Sequence, residues 1–236
     1  MKTFKPLFIL ILLAVFGINS AIAGENDKTE IRKVKDFNAI KVSTGIDLYI
    51  TMGTTEEVKI IADNEIIDDI VTEVKDGTLC IYVKKNNWFN WGFNKSRKAY
   101  VSVKELNRIE ASSGSDVRSE NTLKGDALEV KTSSGSDVVL DLIYKSLMLD
   151  SSSGSDAKIS GKVKNFEAEA SSGSDINAQN LESVVCRVRA SSGSDATVNV
   201  SDELYAKASS GADIRYYGNP DSKDIDESSG GDVRGK

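Results

Sequence analysis

Residues 171–175 read Ser-Ser-Gly-Ser-Asp, and this short motif decides the fold because it returns at a nearly fixed interval along the chain. In seven copies, two serines precede a glycine and an aspartate stands two places after it. Successive glycines are 21, 19, 19, 20, 18 and 19 residues apart. Such a period is typical of repeat architectures. The glycines are Gly114, Gly135, Gly154, Gly173, Gly193, Gly211 and Gly230, and the aspartates are Asp116, Asp137, Asp156, Asp175, Asp195, Asp213 and Asp232.

The residues on both sides of the motif alternate between apolar and polar types. In the run Phe166-Glu167-Ala168-Glu169-Ala170 the apolar residues share one side and the acids the other. Apolar residues also stand three places after every motif glycine and five places before it. A period of two predicts strands with one buried face. Each repeat therefore predicts a strand, a tight corner that favours glycine, a second strand and a looser second turn.

Two arrangements of these strands are possible, a stack of antiparallel hairpins or a wound solenoid. Because the same corner and the same inward offsets recur in all seven copies, we favour coils stacked on one another with parallel strands about 4.8 Å apart. The predicted fold is all-β, a right-handed parallel β-solenoid, or β-helix-like fold, with coils of roughly 19 residues. Seven such coils make a rod of roughly 30 Å.

The first half of the chain predicts an early coil and a cap. Residues 40–48 fit the same template around Gly45, so residues 36–108 are predicted as a degenerate coil and capping region and residues 109–236 as regular coils of one domain. Within the cap, Val58 to Ile61 predicts a strand, Asn64 to Ile70 a helical turn, and Val71 to Val83 a hairpin around Asp76-Gly77.

The N-terminus predicts export. Residues 1–23 combine Lys2 and Lys5, a short apolar run from Leu7 to Ile18, and the sequence Ala21-Ile22-Ala23, which together are typical of a cleaved signal peptide. Residues 24–35 then form an N-terminal tail, and no later segment predicts a transmembrane span. Without the two lysines the net charge falls from −6 to −8, which disfavours nucleic acid as a partner. The expected location is the periplasm, the outer-membrane surface or the extracellular space.

The residue types limit the chemistry. The chain has no histidine, which removes Ser-His-Asp and Cys-His catalysis and the usual zinc sites. The chain has two cysteines, Cys80 and Cys186, and whether they form a disulfide is left open. Clustered carboxylates with Lys or Arg would suit a polysaccharide-degrading β-helix enzyme, but here the acids are repeated at every corner, whereas an active site needs one copy. No catalytic residue is therefore assigned.

The repeated aspartates have two interpretations. Stacking places seven carboxylates about 4.8 Å apart, so their repulsion must be offset. We expect each carboxylate to accept backbone N–H bonds at its own corner, so that no cofactor is needed. The alternative is calcium between neighbouring coils at Asp116, Asp137, Asp156, Asp175, Asp195, Asp213 and Asp232. The paired serines could form a hydrogen-bonded ladder along the rod or a flat adhesive face.

The segment from Asn86 to Asn94 is the most aromatic part of the chain. It holds Trp88, Phe89, Trp91 and Phe93 between Asn and Gly residues, with neither a helical nor a strand period. Exposed aromatic rings can stack on sugars or anchor protein interfaces. These four residues are thus either a cap over an open end of the core or a surface that binds a ligand or partner.

The chain resembles a known bacterial family. Residues 37–48, with Phe37-Asn38-Ala39-Ile40 and Gly45-Ile46-Asp47-Leu48, and the later Ser-Ser-Gly-Ser-Asp coils resemble the putative auto-transporter adhesin, head GIN domain family over roughly residues 36–233. The resemblance implies a β-helix-like solenoid and a role in cell adhesion, with no catalytic residues to transfer. We therefore expect a non-enzymatic protein that binds a glycan or a protein at the cell surface, with oligomerisation left open. The alternatives are a polysaccharide-degrading enzyme and a purely structural envelope protein.

Overall fold

A computed structural model of the chain describes residues 26–84 and 95–236. Seventeen β-strands belong to one continuous sheet, and a single 3-10 turn, Ile67–Asp69, is the only helical element in these two ranges. The strands are β1 Asp27–Arg32, β2 Ala39–Val42, β3 Asp47–Met52, β4 Glu57–Asp63, β5 Ile70–Lys75, β6 Thr78–Val83, β7 Arg97–Val103, β8 Arg108–Ala111, β9 Val117–Ser119, β10 Leu123–Thr132, β11 Asp137–Ser151, β12 Asp156–Ala170, β13 Asp175–Ala190, β14 Asp195–Ala208, β15 Asp213–Tyr217, β16 Ser222–Glu227 and β17 Asp232–Gly235.

The strands of the second half stack in parallel, which confirms the predicted solenoid and excludes the hairpin stack there. Residues at equal offsets from the corner glycines are direct partners, as in the series Asp137, Asp156, Asp175, Asp195, Asp213 and Asp232. The register shifts once between β12 and β13 and twice between β13 and β14, away from the corner. These shifts absorb the unequal coil lengths at the second turn, so the corners stay aligned.

The first half contains the early coil at Gly45 and a cap beneath it. Strands β2 and β3 flank Gly45 and pair in parallel with β8 and β9 on one side. On their other side they pair in parallel with β6 and β7, which come later in the chain. Strands β4 and β5 then close this end, because each pairs antiparallel with its neighbour, β7 and β6 respectively. The predicted hairpin, helical turn and strand are thus confirmed.

The N-terminal tail is the part of this half that differs from the expectation. Residues 27–32 form strand β1, which pairs antiparallel with β4 along its whole length. The strand was missed because its sequence, DKTEIR, is polar and its only large apolar side chain, Ile31, faces solvent. Edge strands of this kind are often charged, since charge discourages pairing with other chains.

The inward side chains form one continuous core along the rod. Its largest fully buried member is Phe166, and the small residues three places before the corner glycines, such as Ala170 and Ala190, are also buried. At the far end Ile225 occupies a matching inward position but is 40% exposed, because no further coil covers it. Burial of apolar surface at about 25 cal/mol per Å² therefore holds each coil mainly through its neighbours.

Two further sequence questions are answered by the described residues. Cys80 and Cys186 are both free, so the structure contains no disulfide between them, and Cys186 is the buried one of the two. In residues 26–84 and 95–236 no helix is long and apolar enough to cross a membrane.

Candidate functional site

The corners align into one edge of the rod, which we call the corner ridge. It consists of the residue before each corner glycine, the glycine itself and the aspartate two places later, in the seven regular coils and in Thr44, Gly45 and Asp47 of the early coil. The residue before the glycine and the glycine both have positive φ, as in Ser172 at 56° and Gly173 at 68°. Two successive left-handed residues turn the chain sharply, which matches a type I′ turn.

The corner glycines are required by their backbone angle rather than by lack of space. A Cβ built on each of the seven regular corner glycines would meet no heavy atom within 4 Å. The serine before the glycine adopts the same uncommon region with a side chain, although Asn or Gly would adopt it more easily. These serines are exposed, and their hydroxyls have no hydrogen-bond partner within the described residues: Ser113, Ser134, Ser153, Ser172, Ser192, Ser210 and Ser229.

The serine after the corner glycine is the one that links the coils. The Ser174 hydroxyl accepts a hydrogen bond from the Ser171 N–H at 3.1 Å and donates to the Ser151 carbonyl of the preceding coil at 2.7 Å. Ser155 and Ser194 make the same pair of contacts. All five serines at this position are fully buried: Ser115, Ser136, Ser155, Ser174 and Ser194. A hydrogen-bonded ladder therefore runs along the rod, but the backbone and this third serine form it, so the interpretation that the paired serines form a ladder with their hydroxyls is wrong.

The carboxylates of the ridge form a column along the rod, the Asp column, which runs from Asp47 to Asp232. Burial raises the pKa of Asp156, and the neighbouring Asp137 and Asp175 raise it further, while a hydrogen bond from the Asp175 backbone N–H lowers it. Burial also raises the pKa of Asp47, with a further contribution from Asp116. The carboxylates thus repel one another, as the stacking requires.

Cations offset this repulsion at both ends of the Asp column, and at the first end Lys98 and Arg118 lower the pKa of Asp47. Arg215 lies 3.7 Å from Asp195 and 3.3 Å from Asp213, and Arg234 pairs with Asp232. We expected each carboxylate to be capped by backbone N–H groups of its own corner, but within the described residues no carboxylate of the column is. The N–H that reaches Asp156 is that of Asp175, which belongs to the next coil. Repulsion is therefore tolerated in the middle of the column, where water can screen it.

The calcium alternative concerns the same residues. In the two described ranges, no group of three or more His, Cys, Asp or Glu side chains is arranged to hold a metal ion. Successive carboxylates contribute one side chain each per coil, whereas Ca²⁺ takes six to eight oxygen ligands. Calcium between coils stays a prediction that a chelator can test.

The aromatic residues Trp88, Phe89, Trp91 and Phe93 lie outside the described residues, but the chain on both sides of them is placed. They belong to the connection between β6 and β7, which stack directly on the two strands flanking the Gly45 corner. At its start the Lys84 N–H donates to the Asp69 carbonyl, and at its end Lys95 pairs with Glu65 at 2.5 Å.

A second aromatic feature was missed by sequence reasoning. The rings of Tyr49 and Tyr100 stack with centroids 4.8 Å apart, and the Lys59 ammonium lies 4.6 Å from the Tyr100 centroid. Tyr49 stands two places after Asp47, an outward position of the coil, which was the available signal. Because Tyr49 covers one face of the Tyr100 ring and Lys59 contacts the ring as well, the stack stabilises the sheet surface instead of offering an open platform.

Comparison with known proteins identifies similar sequences and folds. A family model described as "Putative auto-transporter adhesin, head GIN domain" matches residues 36–220. Among curated proteins, none matches the sequence significantly.

Solved structures share the fold over nearly the whole chain. A putative adhesin from Bacteroides fragilis has a TM-score of 0.84 at 24% identity, covering 90% of this chain and 98% of that one. A putative lipid binding protein from Parabacteroides distasonis has a TM-score of 0.71 at 19% identity, with the same two coverages. A putative adhesin from Parabacteroides merdae has a TM-score of 0.71 at 17% identity, covering 91% of this chain and 98% of that one. At these identities the likeness shows the shared solenoid.

Proposed function

We propose that this chain, which belongs to the putative auto-transporter adhesin, head GIN domain family, is an exported, non-enzymatic protein that binds a glycan or a protein at the cell surface. The observation that carries the proposal is the corner ridge, in which the seven regular corners repeat one exposed pattern. A repeated surface suits a partner that is itself extended or repetitive, because equivalent contacts add along the rod.

The chemistry of the ridge fits polar recognition. Each regular corner offers an unpartnered serine hydroxyl and a carboxylate, and the pattern recurs about every 4.8 Å. Hydroxyls and carboxylates hydrogen-bond to sugar hydroxyls and to peptide N–H groups alike. We propose that Trp88, Phe89, Trp91 and Phe93, which follow β6 and precede β7 in the chain, add apolar contacts to the same surface.

The absence of histidine from the sequence and the repetition of the acidic residues support a binding role over catalysis. The export signal predicted at residues 1–23 supports a location in the periplasm, on the outer-membrane surface or outside the cell. Mass spectrometry of the protein recovered from cell fractions tests this part, since cleavage after Ala23 leaves Gly24 as the first residue. Protein retained in the cytoplasm with residues 1–23 intact would contradict export.

Glycan arrays and adhesion to immobilised envelope proteins test the binding role. We expect the triple variant Ser134→Ala, Ser153→Ala and Ser172→Ala to bind less while keeping its melting temperature, because these hydroxyls have no partner in the described residues. Trp88→Ala with Trp91→Ala should also weaken binding, whereas Tyr217→Ala, near the other end of the rod, should not.

Two controls separate this proposal from its competitors. Incubation with acidic polysaccharides, scored for new reducing or unsaturated ends, reports an enzyme. Flotation with lipid vesicles reports a lipid-binding protein, the activity named in one structural relative. Polysaccharide cleavage, or binding to vesicles alone, would overturn the proposal.

A further inference from the structure

The strands that precede each corner carry a second regular surface, which we call the ion-pair face. Two columns of outward side chains run along it in direct register through β10, β11, β12, β13, β14 and β16. Both columns continue beyond β10 into β8 and β2, where the first adds Glu110 and Lys41 and the second adds Arg108 and Ala39. The first column is Lys131, Asp150, Glu169, Arg189, Lys207 and Asp226, and the second is Glu129, Met148, Glu167, Arg187, Tyr205 and Asp224.

Over the six strands β10, β11, β12, β13, β14 and β16, the charges of the first column are antisymmetric about the point between β12 and β13, which we call the midpoint. Moving outward from that point, Glu169 is matched by Arg189, Asp150 by Lys207, and Lys131 by Asp226. Each of these six residues therefore has a partner of opposite charge at the same distance on the other side of the midpoint, and β8 and β2 lie beyond the matched strands.

The second column follows the same rule at two of its three positions. Glu167 is matched by Arg187, and Met148, which is 44% exposed, is matched by Tyr205. A thioether and an aromatic ring attract each other. Only Glu129 and Asp224 are like charges, so five of the six matched positions are favourable.

Two copies of the chain can meet through their ion-pair faces across a two-fold axis that runs parallel to the strands, in the plane between the faces. This rotation reverses the order of the coils in the second copy, and each column then faces the same column of the other copy. Placed between β12 and β13, the axis brings every matched pair together across two copies of the chain. We infer that the ion-pair face binds a second copy of this chain in an antiparallel, two-fold symmetric dimer. Such an isologous contact uses the same surface twice, so each of the five favourable contacts occurs twice.

Some of the groups that gain a partner in this dimer lack one within the chain, whereas Lys131, Lys207 and Asp226 already form ion pairs there. Among the described residues, Asp150, Glu169 and Arg187 form no ion pair, and Arg189 reaches Glu167 only at 3.6 Å. Burial raises the pKa of Asp150, Lys131 lowers it, and Glu169 and Glu129 raise it further. The Arg187 guanidinium is held 4.6 Å from the Tyr205 ring centroid, which orients it before any partner arrives.

The size of the face predicts a weak, salt-sensitive dimer. Six strands at about 4.8 Å and about six residues at 3.3 Å give roughly 600 Å² per copy. The total of about 1,200 Å² lies at the low end of specific interfaces. Because exposed ion pairs supply most of the contacts, raising the salt from about 50 mM to about 500 mM should weaken dimerisation roughly tenfold or more.

Sedimentation velocity on the purified protein, over a range of concentrations at low salt, tests the proposal. The variant Arg187→Glu with Arg189→Glu has acids on both central coils, and Glu167→Arg with Glu169→Arg has bases on both. Each should be monomeric alone, because like charges then meet across the axis. An equimolar mixture should form a heterodimer, since every central contact is again between opposite charges.

Two controls separate this result from damage to the fold. Lys158→Glu with Lys164→Glu changes the net charge as much as the first variant but lies outside both columns, so it should dimerise like the parent protein. A variant with four substitutions, Glu167→Arg, Glu169→Arg, Arg187→Glu and Arg189→Glu, exchanges the acids and the bases of the two central coils. It keeps the antisymmetry and should dimerise by itself. Far-ultraviolet circular dichroism confirms that each variant is folded. A monomeric parent at low salt, or variants that fail to recover association on mixing, would overturn the inference.

Discussion

Two glycines in adjoining coils should respond to the same substitution for different physical reasons. Gly173 lies at a corner with φ of 68°, and an added Cβ would meet no heavy atom within 4 Å. Gly161 lies at the second turn with φ of 115°, and its Cβ would come within 1.9 Å of the Leu142 carbonyl oxygen and 2.8 Å of its carbonyl carbon. The first glycine is therefore needed only for its backbone angle, whereas the second is needed for both angle and space.

These geometries set the expected magnitudes. Gly173→Ala places an L-residue in the left-handed region at a cost of about 1–2 kcal/mol. The smaller entropy of the unfolded chain returns about 0.4–1 kcal/mol, so the net loss is about 1 kcal/mol. Gly161→Ala must also push apart two coils that pair in register at Leu142, so we expect a loss of about 3 kcal/mol or more.

Thermal unfolding followed by circular dichroism measures both effects. At about 2–4 °C per kcal/mol for a chain of this size, Gly173→Ala should lower the melting temperature by about 2–4 °C and Gly161→Ala by at least twice as much. Equal losses would mean that the corner is crowded after all. An unchanged Gly173→Ala protein would mean that the left-handed angle is not what selects glycine there.

Four other predictions concern the corners, the Asp column and the cysteines. Ser174→Ala should cost about 1 kcal/mol in urea unfolding, because both hydrogen bonds of the hydroxyl are lost but the Ser171 N–H and the Ser151 carbonyl still bond each other. A loss above about 3 kcal/mol would indicate an unsatisfied group instead. Asp156→Asn should raise the melting temperature at neutral pH, because a carboxyl whose pKa is raised in the folded state destabilises that state when it is ionised. The gain should shrink on acidification; Asp202→Asn, outside the column, is the control, and a gain that persists in acid would refute the reasoning. Burial raises the pKa of Cys186 to about 12, so a thiol reagent should modify only Cys80 in the native protein and both cysteines after unfolding; native modification of Cys186 would contradict its burial. EDTA should leave the melting temperature unchanged if the Asp column acts without calcium, and a rise of many degrees on adding calcium would establish the alternative.

The regular coils could be predicted from the sequence because their information is local and repeated. The corner glycines fix the period, and the alternating flanks fix which side of each strand is buried. The topology of the first half could not be predicted, because β2 and β3 lie between strands that come later in the chain on both sides. Pairing over such distances leaves no periodic signal.

The roles of the three corner serines were assigned only in part. The strict alternation of the preceding strand is broken at the corner, since two successive left-handed residues reverse the chain and leave the serine before the glycine exposed. Reading backward from Ile176 would have placed Ser174 on the buried side. Ala212, which replaces that serine in the sixth corner and is also fully buried, was a further signal.

The antisymmetry of the ion-pair face could not be found before the register was known. Its pairs, such as Asp150 with Lys207, are far apart in sequence, and the unequal coil lengths shift their spacing. Once the structure aligns the coils, the sign of each charge can be read directly from the sequence.

The interchangeable corners have a consequence for how the gene can change. Since neighbouring coils meet through the same backbone contacts at every step, an in-frame duplication of about 19 codons would insert a coil whose two surfaces already fit those above and below it. Loss of one coil would likewise let its neighbours close the gap. Homologues of this chain can therefore differ in length by whole coils, each adding about 4.8 Å, while the strands that cover the first end remain unchanged.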